Sequence, residues 1–304
     1  MAGKGHFETT RPVLKVDHAV IDHPVGGGIY LDTNAGFTSD SGPLAIRGAA
    51  DFPIAIEMMS LGTIPAFSGS QNAHDDALVI GPNDNVTADL TISARMPVRI
   101  RIGSLVVAPP ASGAGLPVTL TLQPGAELRF DPLPGPQPGA RMVFGTVGNG
   151  LANRVGRLMA VGTAAQPIRF TSGAAAPAPG DWSGLQLLTA DGSQLAFVVV
   201  EYAGGFSGVS SNNCRPTGTA DAAAIIVGSD SFAPSGSMIV SSTIRSNAGF
   251  GIDAVWQNAK YDDPNLAGSS SLNTFTGNGG CNQTYNGCLP QTCLCPTGGG
   301  CQPQ

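Results

Sequence analysis

Short apolar-x-apolar runs recur along the chain, cut every few residues by Gly, Pro, Ser or Asn. Leu120-Thr-Leu122 and Ile168-Arg-Phe170 are typical. Alternation with a period of two turns every second side chain to one interior, the signature of a half-buried strand. It predicts strands over 77–80, 98–102, 118–122, 127–130, 157–161, 168–171, 185–188 and 238–244. The pattern also repeats on a larger scale. Val16-Asp-His-Ala-Val-Ile-Asp22-His23 lies over Leu195-Ala-Phe-Val-Val-Val-Glu201-Tyr202, each a strand-like run ending in an acid followed by a ring. A Gly-rich turn and a second short strand follow in both, 28–32 and 224–228. A third pair, 37–46 and 232–240, keeps the same order of apolar, turn and polar positions.

Two folds suit many short strands: a β-sandwich, or a solenoid of parallel strands. A sandwich needs tight hairpins with Asn-Gly or Asp-Gly signals, and only Asn149-Gly150, Asp191-Gly192 and Asn286-Gly287 supply them. A solenoid accounts for the repetition, because each coil buries its apolar face on its neighbours. Composition sharpens this. Among 304 residues, 42 are Gly and 24 Pro, while charged residues are only 12%. Lys occurs only at Lys4, Lys15 and Lys260, and Glu only at Glu8, Glu57, Glu127 and Glu201. A chain so short of these helix formers is expected to be all-β.

Several classes fall away. A hydrophobic share of 42% is too high for a disordered chain. A net charge of -6 without a basic cluster excludes a nucleic-acid partner. No apolar run approaches the ~20 residues of a membrane span.

Five of six cysteines, Cys281, Cys288, Cys293, Cys295 and Cys301, fall in the last 24 residues, with Cys214 upstream. That tail has almost nothing apolar to bury, so disulfides are expected to hold it, which places the protein outside the cytosol. The zinc alternative lacks a C-x-x-C pair and a nearby His. Six cysteines allow fifteen pairings, and the sequence does not choose among them. Met1-Ala-Gly-Lys-Gly-His6 is no signal peptide, since no apolar stretch follows. The expectation is an extracellular or cell-surface protein whose export signal lies outside this sequence.

Specific motifs carry a resemblance. Leu120-Thr-Leu-Gln-Pro-Gly125 is followed by Gly162-Thr-Ala-Ala-Gln-Pro-Ile-Arg-Phe-Thr-Ser172, then Gly180-Asp-Trp-Ser-Gly-Leu185 and Val200-Glu-Tyr-Ala-Gly204. Ser242-Thr-Ile-Arg-Ser-Asn-Ala-Gly-Phe-Gly-Ile252 adds another coil, and Leu272-Asn-Thr-Phe-Thr-Gly-Asn278 a last, degenerate one. Over roughly 14–280 these resemble bacterial secreted and surface proteins built of right-handed parallel β-helix repeats, with a pectate-lyase-like fold. The resemblance implies a right-handed parallel β-helix with a Cys-rich tail. Within it, 1–60 ends an upstream block, 61–97 is a polar excursion, 98–280 is the main block and 281–304 the disulfide-held tail. Nine or ten coils at ~4.8 Å each would make a rod about 45 Å long.

The fold family includes polysaccharide-cleaving enzymes, but fold does not carry function. A lyase of that kind needs clustered acids for calcium and an Arg or Lys as base, whereas acids here are scattered. His18 and Asp22 share a face of a regular strand and make a candidate acid–base pair; solvated wall residues are the simpler reading. Asp75, Asp76 and Asp84, with Asn83 and Asn85, offer oxygen ligands for calcium, without EF-hand spacing. Arg99 and Arg101 share a strand face and could meet an acidic glycan. Trp182 is a candidate sugar platform or, more simply, the cover of a coil edge. No catalytic constellation stands out, so the reading is a non-catalytic module for binding, adhesion or display, with a surface glycan or surface protein as partner. The alternatives are a polysaccharide-acting lyase or hydrolase with acids converging on the wall, and a structural spacer. Oligomeric state has no signal.

Overall fold

The computed structural model describes residues 12–81, 85–101, 103–111, 115–132, 140–146, 154–208, 222–228, 238–255 and 266–285, and the backbone of the short strands Cys293–Leu294 and Gln302–Pro303. It is all-β: two 3-10 turns, Met58–Thr63 and Ser269–Ser271, accompany many short strands. Among the described residues no helix is long and apolar enough to cross a membrane.

Three parallel sheets organise the chain. Sheet I holds nine strands: Ile29–Leu31, Ile54–Glu57, Ala77–Ile80, Val98–Ile100, Glu127–Phe130, Ile168–Ser172, Val198–Glu201, Thr243–Arg245 and Thr274–Thr276. Sheet II holds six, from Ser104–Val107 to Gln283–Tyr285, and sheet III five, from Leu90–Ile92 to Ile239–Val240. From Leu90 to Ala254 the chain visits sheets III, I and II in turn, adding one parallel strand to each on every pass. Toward the N-terminus, Ala19–Asp22, Leu44–Arg47 and Phe67–Ser70 form a separate three-stranded parallel sheet, and Val13–Leu14 pairs with Gly36–Phe37. This arrangement is consistent with a parallel β-helix. The one antiparallel strand pair described joins Cys293–Leu294 to Gln302–Pro303.

Register explains the core. One row of sheet I aligns Ile54, Ala77, Val98, Leu128, Phe170, Val200 and Ile244, all buried. Like stacks on like across coils, each buried Val, Leu, Ile or Phe contributing about 1.5–3 kcal/mol of transfer free energy. Polar ladders fill the corners. Asn247 receives the Ala203 N–H at 2.8 Å and donates to Asn278 at 2.8 Å, which donates to the Ile244 carbonyl at 3.0 Å.

Corners need left-handed backbone, and non-glycine residues supply much of it. Phe197 (φ 50) separates Gln194–Ala196 from Val198–Glu201, and Ser241 (φ 50) separates Ile239–Val240 from Thr243–Arg245. The strand expected over 238–244 is therefore two strands on two sheets. The internal repeat survives in conformation: His18 (φ 49) and His23 (φ 48) bracket Ala19–Asp22 as Phe197 and Tyr202 (φ 60) bracket Val198–Glu201. The two copies lie on different sheets.

The 61–97 segment carries strands Phe67–Ser70, Ala77–Ile80 and Leu90–Ile92, and sheet I runs through it unbroken. The interruption lies on the neighbouring face. Phe67–Ser70 ends one sheet and Leu90–Ile92 begins another, although they belong to consecutive coils. The turn Met58–Thr63 wedges against Leu90–Ile92, so closely that a Cβ on Gly62 would sit 2.8 Å from the Thr91 carbonyl oxygen.

Candidate binding wall on the nine-stranded sheet

Alternation turns the residues between the buried rows of sheet I outward. Their row starts with Tyr30, Ala55 and Leu78, becomes charged at Arg99 and Arg129, which aligns with Thr171, and is charged again where Glu201 aligns with Arg245. Two ion clusters result.

In the first, Arg99 is largely buried. Its Nε donates to Asp131 Oδ1 at 2.6 Å, one terminal nitrogen lies 3.4 Å from Asp76 Oδ2, and the other donates to the Gly173 carbonyl. Arg101 donates to the second oxygen of Asp131 at 2.8 Å and lies over the Phe52 ring, 4.6 Å from its centroid. His74 stacks on Phe52 at 4.0 Å. Arg129 holds Glu127 at 2.6 Å, Asp75 at 2.5 Å and Asp76 Oδ2 at 3.3 Å. Burial pulls the Arg129 guanidinium toward deprotonation, but its bonds to Asp75 and Glu127 outweigh that and hold it further up than usual. The Arg129 hydrogen bond in turn holds the Asp75 carboxyl below the ordinary carboxylate range. Asp76 is 0% exposed, and its Oδ1 has no hydrogen-bond partner.

The second cluster centres on Glu201, 2% exposed. Arg169 from the preceding coil donates to Oε1 at 2.9 Å, joined by the Thr171 hydroxyl at 3.0 Å. Arg245 from the next coil donates to Oε2 through Nε at 2.8 Å. Both arginine side chains remain 42% exposed, so they reach solvent beside a carboxylate that is fully served.

The residues singled out in the sequence are placed as follows. Arg99 and Arg101 do share a face, and meet on Asp131. His18 does not join Asp22: its left-handed backbone ends the regular alternation, and its Nδ1 lies 2.7 Å from Asp17, while His23 Nδ1 lies 3.0 Å from Asp22. All four are exposed. Trp182 is wholly buried, stacked on Phe130, with its indole N–H donated to the Glu201 carbonyl at 3.0 Å, so it offers no sugar platform. The preceding turn turns it inward, as Asp181 accepts the Ala178 N–H at 2.9 Å and the Ser172 hydroxyl at 2.5 Å. Asp75 and Asp76 face guanidiniums, which would oppose a calcium ion at the same oxygens. Asp84 lies outside the described residues. Among the described residues, no group of three or more His, Cys, Asp or Glu is arranged to hold a metal. Cys281 is buried. Cys214, Cys288, Cys295 and Cys301 lie outside the described residues, and only the backbone of Cys293 is within them.

Reading the sequence missed Arg129, Asp131, Arg169, Glu201 and Arg245 as one face. A signal existed, since Arg169 and Arg245 each follow an Ile within a short strand of sheet I and Glu201 ends the strand between them.

No protein-family model, curated protein or solved structure matches the chain.

Proposed function

We propose that the protein is an extracellular right-handed β-helix module of a surface or secreted bacterial protein, which uses sheet I as a wall for binding and adhesion. The carrying observation is the pair of half-exposed guanidiniums, Arg169 and Arg245, pinned by the buried Glu201 carboxylate. Pinning removes much of the rotamer entropy that a free arginine loses on binding. A rigid, solvent-facing donor array of this kind suits hydroxyl- and carboxylate-bearing partners such as a surface glycan or the face of another surface protein. The crowding of five cysteines into the last 24 residues supports an oxidising compartment and a stapled tail.

The test is a glycan array combined with a cell-surface binding assay, on the wild-type chain and on Arg169→Ala/Arg245→Ala. Binding that the double variant loses supports the wall. Release of reducing or unsaturated sugar ends would make the protein an enzyme instead, and inertness in every assay would leave a spacer.

A further inference from the structure

At the corner where the faces split, a cleft of about 270 Å³ separates Phe67–Ser70 from the 95–97 turn, with His74 and Asp75 at its end. Among the described residues, Phe67–Ser70 is paired on one side only, with Leu44–Arg47. On that side the Leu44 N–H reaches the Ala66 carbonyl at 2.9 Å, and the Gly48 N–H the Ser70 carbonyl at 3.0 Å. Residues 66, 68 and 70 therefore spend their backbone groups on the pair. Successive residues of a strand turn these groups to opposite sides, so the N–H and C=O of Phe67 and Gly69 face the cleft.

Edge strands are ordinarily blunted by charge, proline, a bulge or a covering element. Phe67-Ser-Gly-Ser70 carries no charge and no proline, and 68–70 are exposed. The opposite rim of the split is treated differently: Leu90–Ile92 is covered by the Met58–Thr63 turn, with Gly62 against Thr91. One rim is closed and the other is open.

We infer that this open edge takes up an extended segment of a partner polypeptide, which adds as a strand beside Phe67–Ser70 and places an acidic side chain on Arg95. Unsatisfied alternating donors and acceptors are matched in spacing by another β-strand, the logic of strand addition. The half-buried Phe67 ring and Met96 give apolar residues of the segment a floor. Charge selects the acid. Arg95 is exposed and in no ion pair among the described residues, whereas Asp75 is already held by Arg129 at 2.5 Å. The inference holds whether or not the wall of sheet I binds anything.

The experiment pans a phage-displayed library of random seven-residue peptides against the full chain, then follows amide exchange across 66–71 with the recovered peptides. Expected are acid-containing, β-prone peptides that slow exchange at Phe67 and Gly69, and whose affinity falls at least about tenfold in Arg95→Glu. Gly69→Pro, which removes one edge donor, should abolish binding; should it misfold, Arg95→Glu and the exchange pattern still decide. Two results overturn the inference. One is a library that returns no peptide retained by the wild type and lost by Arg95→Glu. The other is slow exchange at Phe67 and Gly69 without peptide, because the edge would then already be covered.

Discussion

Trp182 lies flat on Phe130, their ring centroids 4.1 Å apart and their planes within 5°. The two residues come from adjoining turns of the chain, and both are wholly buried. Trp182→Ala removes this contact and the indole hydrogen bond to the Glu201 carbonyl, and opens a large cavity between coils. A loss of about 3–5 kcal/mol is expected in denaturant unfolding, whereas Trp182→Phe should recover more than half of it. A loss below ~1 kcal/mol for the alanine variant would mean that the two rings do not stack in the folded protein.

Glu201 ties three coils together, and its partners are unequal in what they leave behind. Glu201→Ala leaves Arg169 and Arg245 facing each other with no counter-charge, while Arg245→Ala leaves Glu201 still served by Arg169 and Thr171. Glu201→Ala is expected to cost about 2–4 kcal/mol, discounted from a fully buried pair because both guanidiniums reach water. Arg245→Ala should cost less than half as much. A double-mutant cycle on Arg169 and Glu201 should give a coupling of at least ~0.5 kcal/mol; additivity would mean that the ion pair contributes nothing.

Strand existence was legible where alternation runs without a hidden corner. Val118–Leu122, Glu127–Phe130 and Ala77–Ile80 match the expected bounds residue for residue. The stretches around Phe197 and Ser241 were not divided, because a left-handed corner at Phe or Ser carries no compositional mark, unlike one at Gly. Nor was the face of each strand legible: Ala19–Asp22 and Val198–Glu201 share their pattern and corners, yet sit on different sheets, since a period of two is common to all faces. The ion clusters were hidden for a related reason. Arg169 and Arg245 lie 32 and 44 positions from Glu201, so unequal coil lengths conceal the register that joins them.

The first coil has a pH-dependent tie between Lys15 and Asp40. The Lys15 ammonium hydrogen bond, with help from Thr38, lowers the Asp40 carboxyl to about 2 from an ordinary 3.8, and the Asp40 bond raises Lys15. The depressed carboxyl contributes stability that is fully present above ~4 and is lost as pH falls toward 2. The raised lysine contributes below its ordinary value of 10.5 and ceases to as pH climbs through the raised one. Both groups are exposed, so the effect is local and salt-sensitive. Amide protection around Val16 and Ser41, taken relative to the intrinsic exchange rate at each pH, should therefore fall below pH 3 in the wild type and stay flat across that range in Asp40→Asn. Identical acid profiles for the two proteins would refute the tie.

Coil closure at Gly156 should be intolerant of any side chain. A Cβ there would stand 1.8 Å from the Val107 carbonyl oxygen and 2.4 Å from the Gly145 nitrogen, both backbone atoms of neighbouring strand ends. Neither can move without breaking the ladder, since the Gly145 N–H donates to that same Val107 carbonyl at 2.9 Å. Gly156→Ala is expected to cost about 1–3 kcal/mol or more, in the manner of overpacking. It should do so by loosening one seam, because each coil rests chiefly on its neighbours. Exchange should quicken first at Val107, Gly145 and Leu158, and change least at Thr243–Arg245, several coils away. Uniform loosening along the stack would instead mean that the coils unfold as one cooperative unit, and full stability of Gly156→Ala would mean that the backbones do not approach this closely.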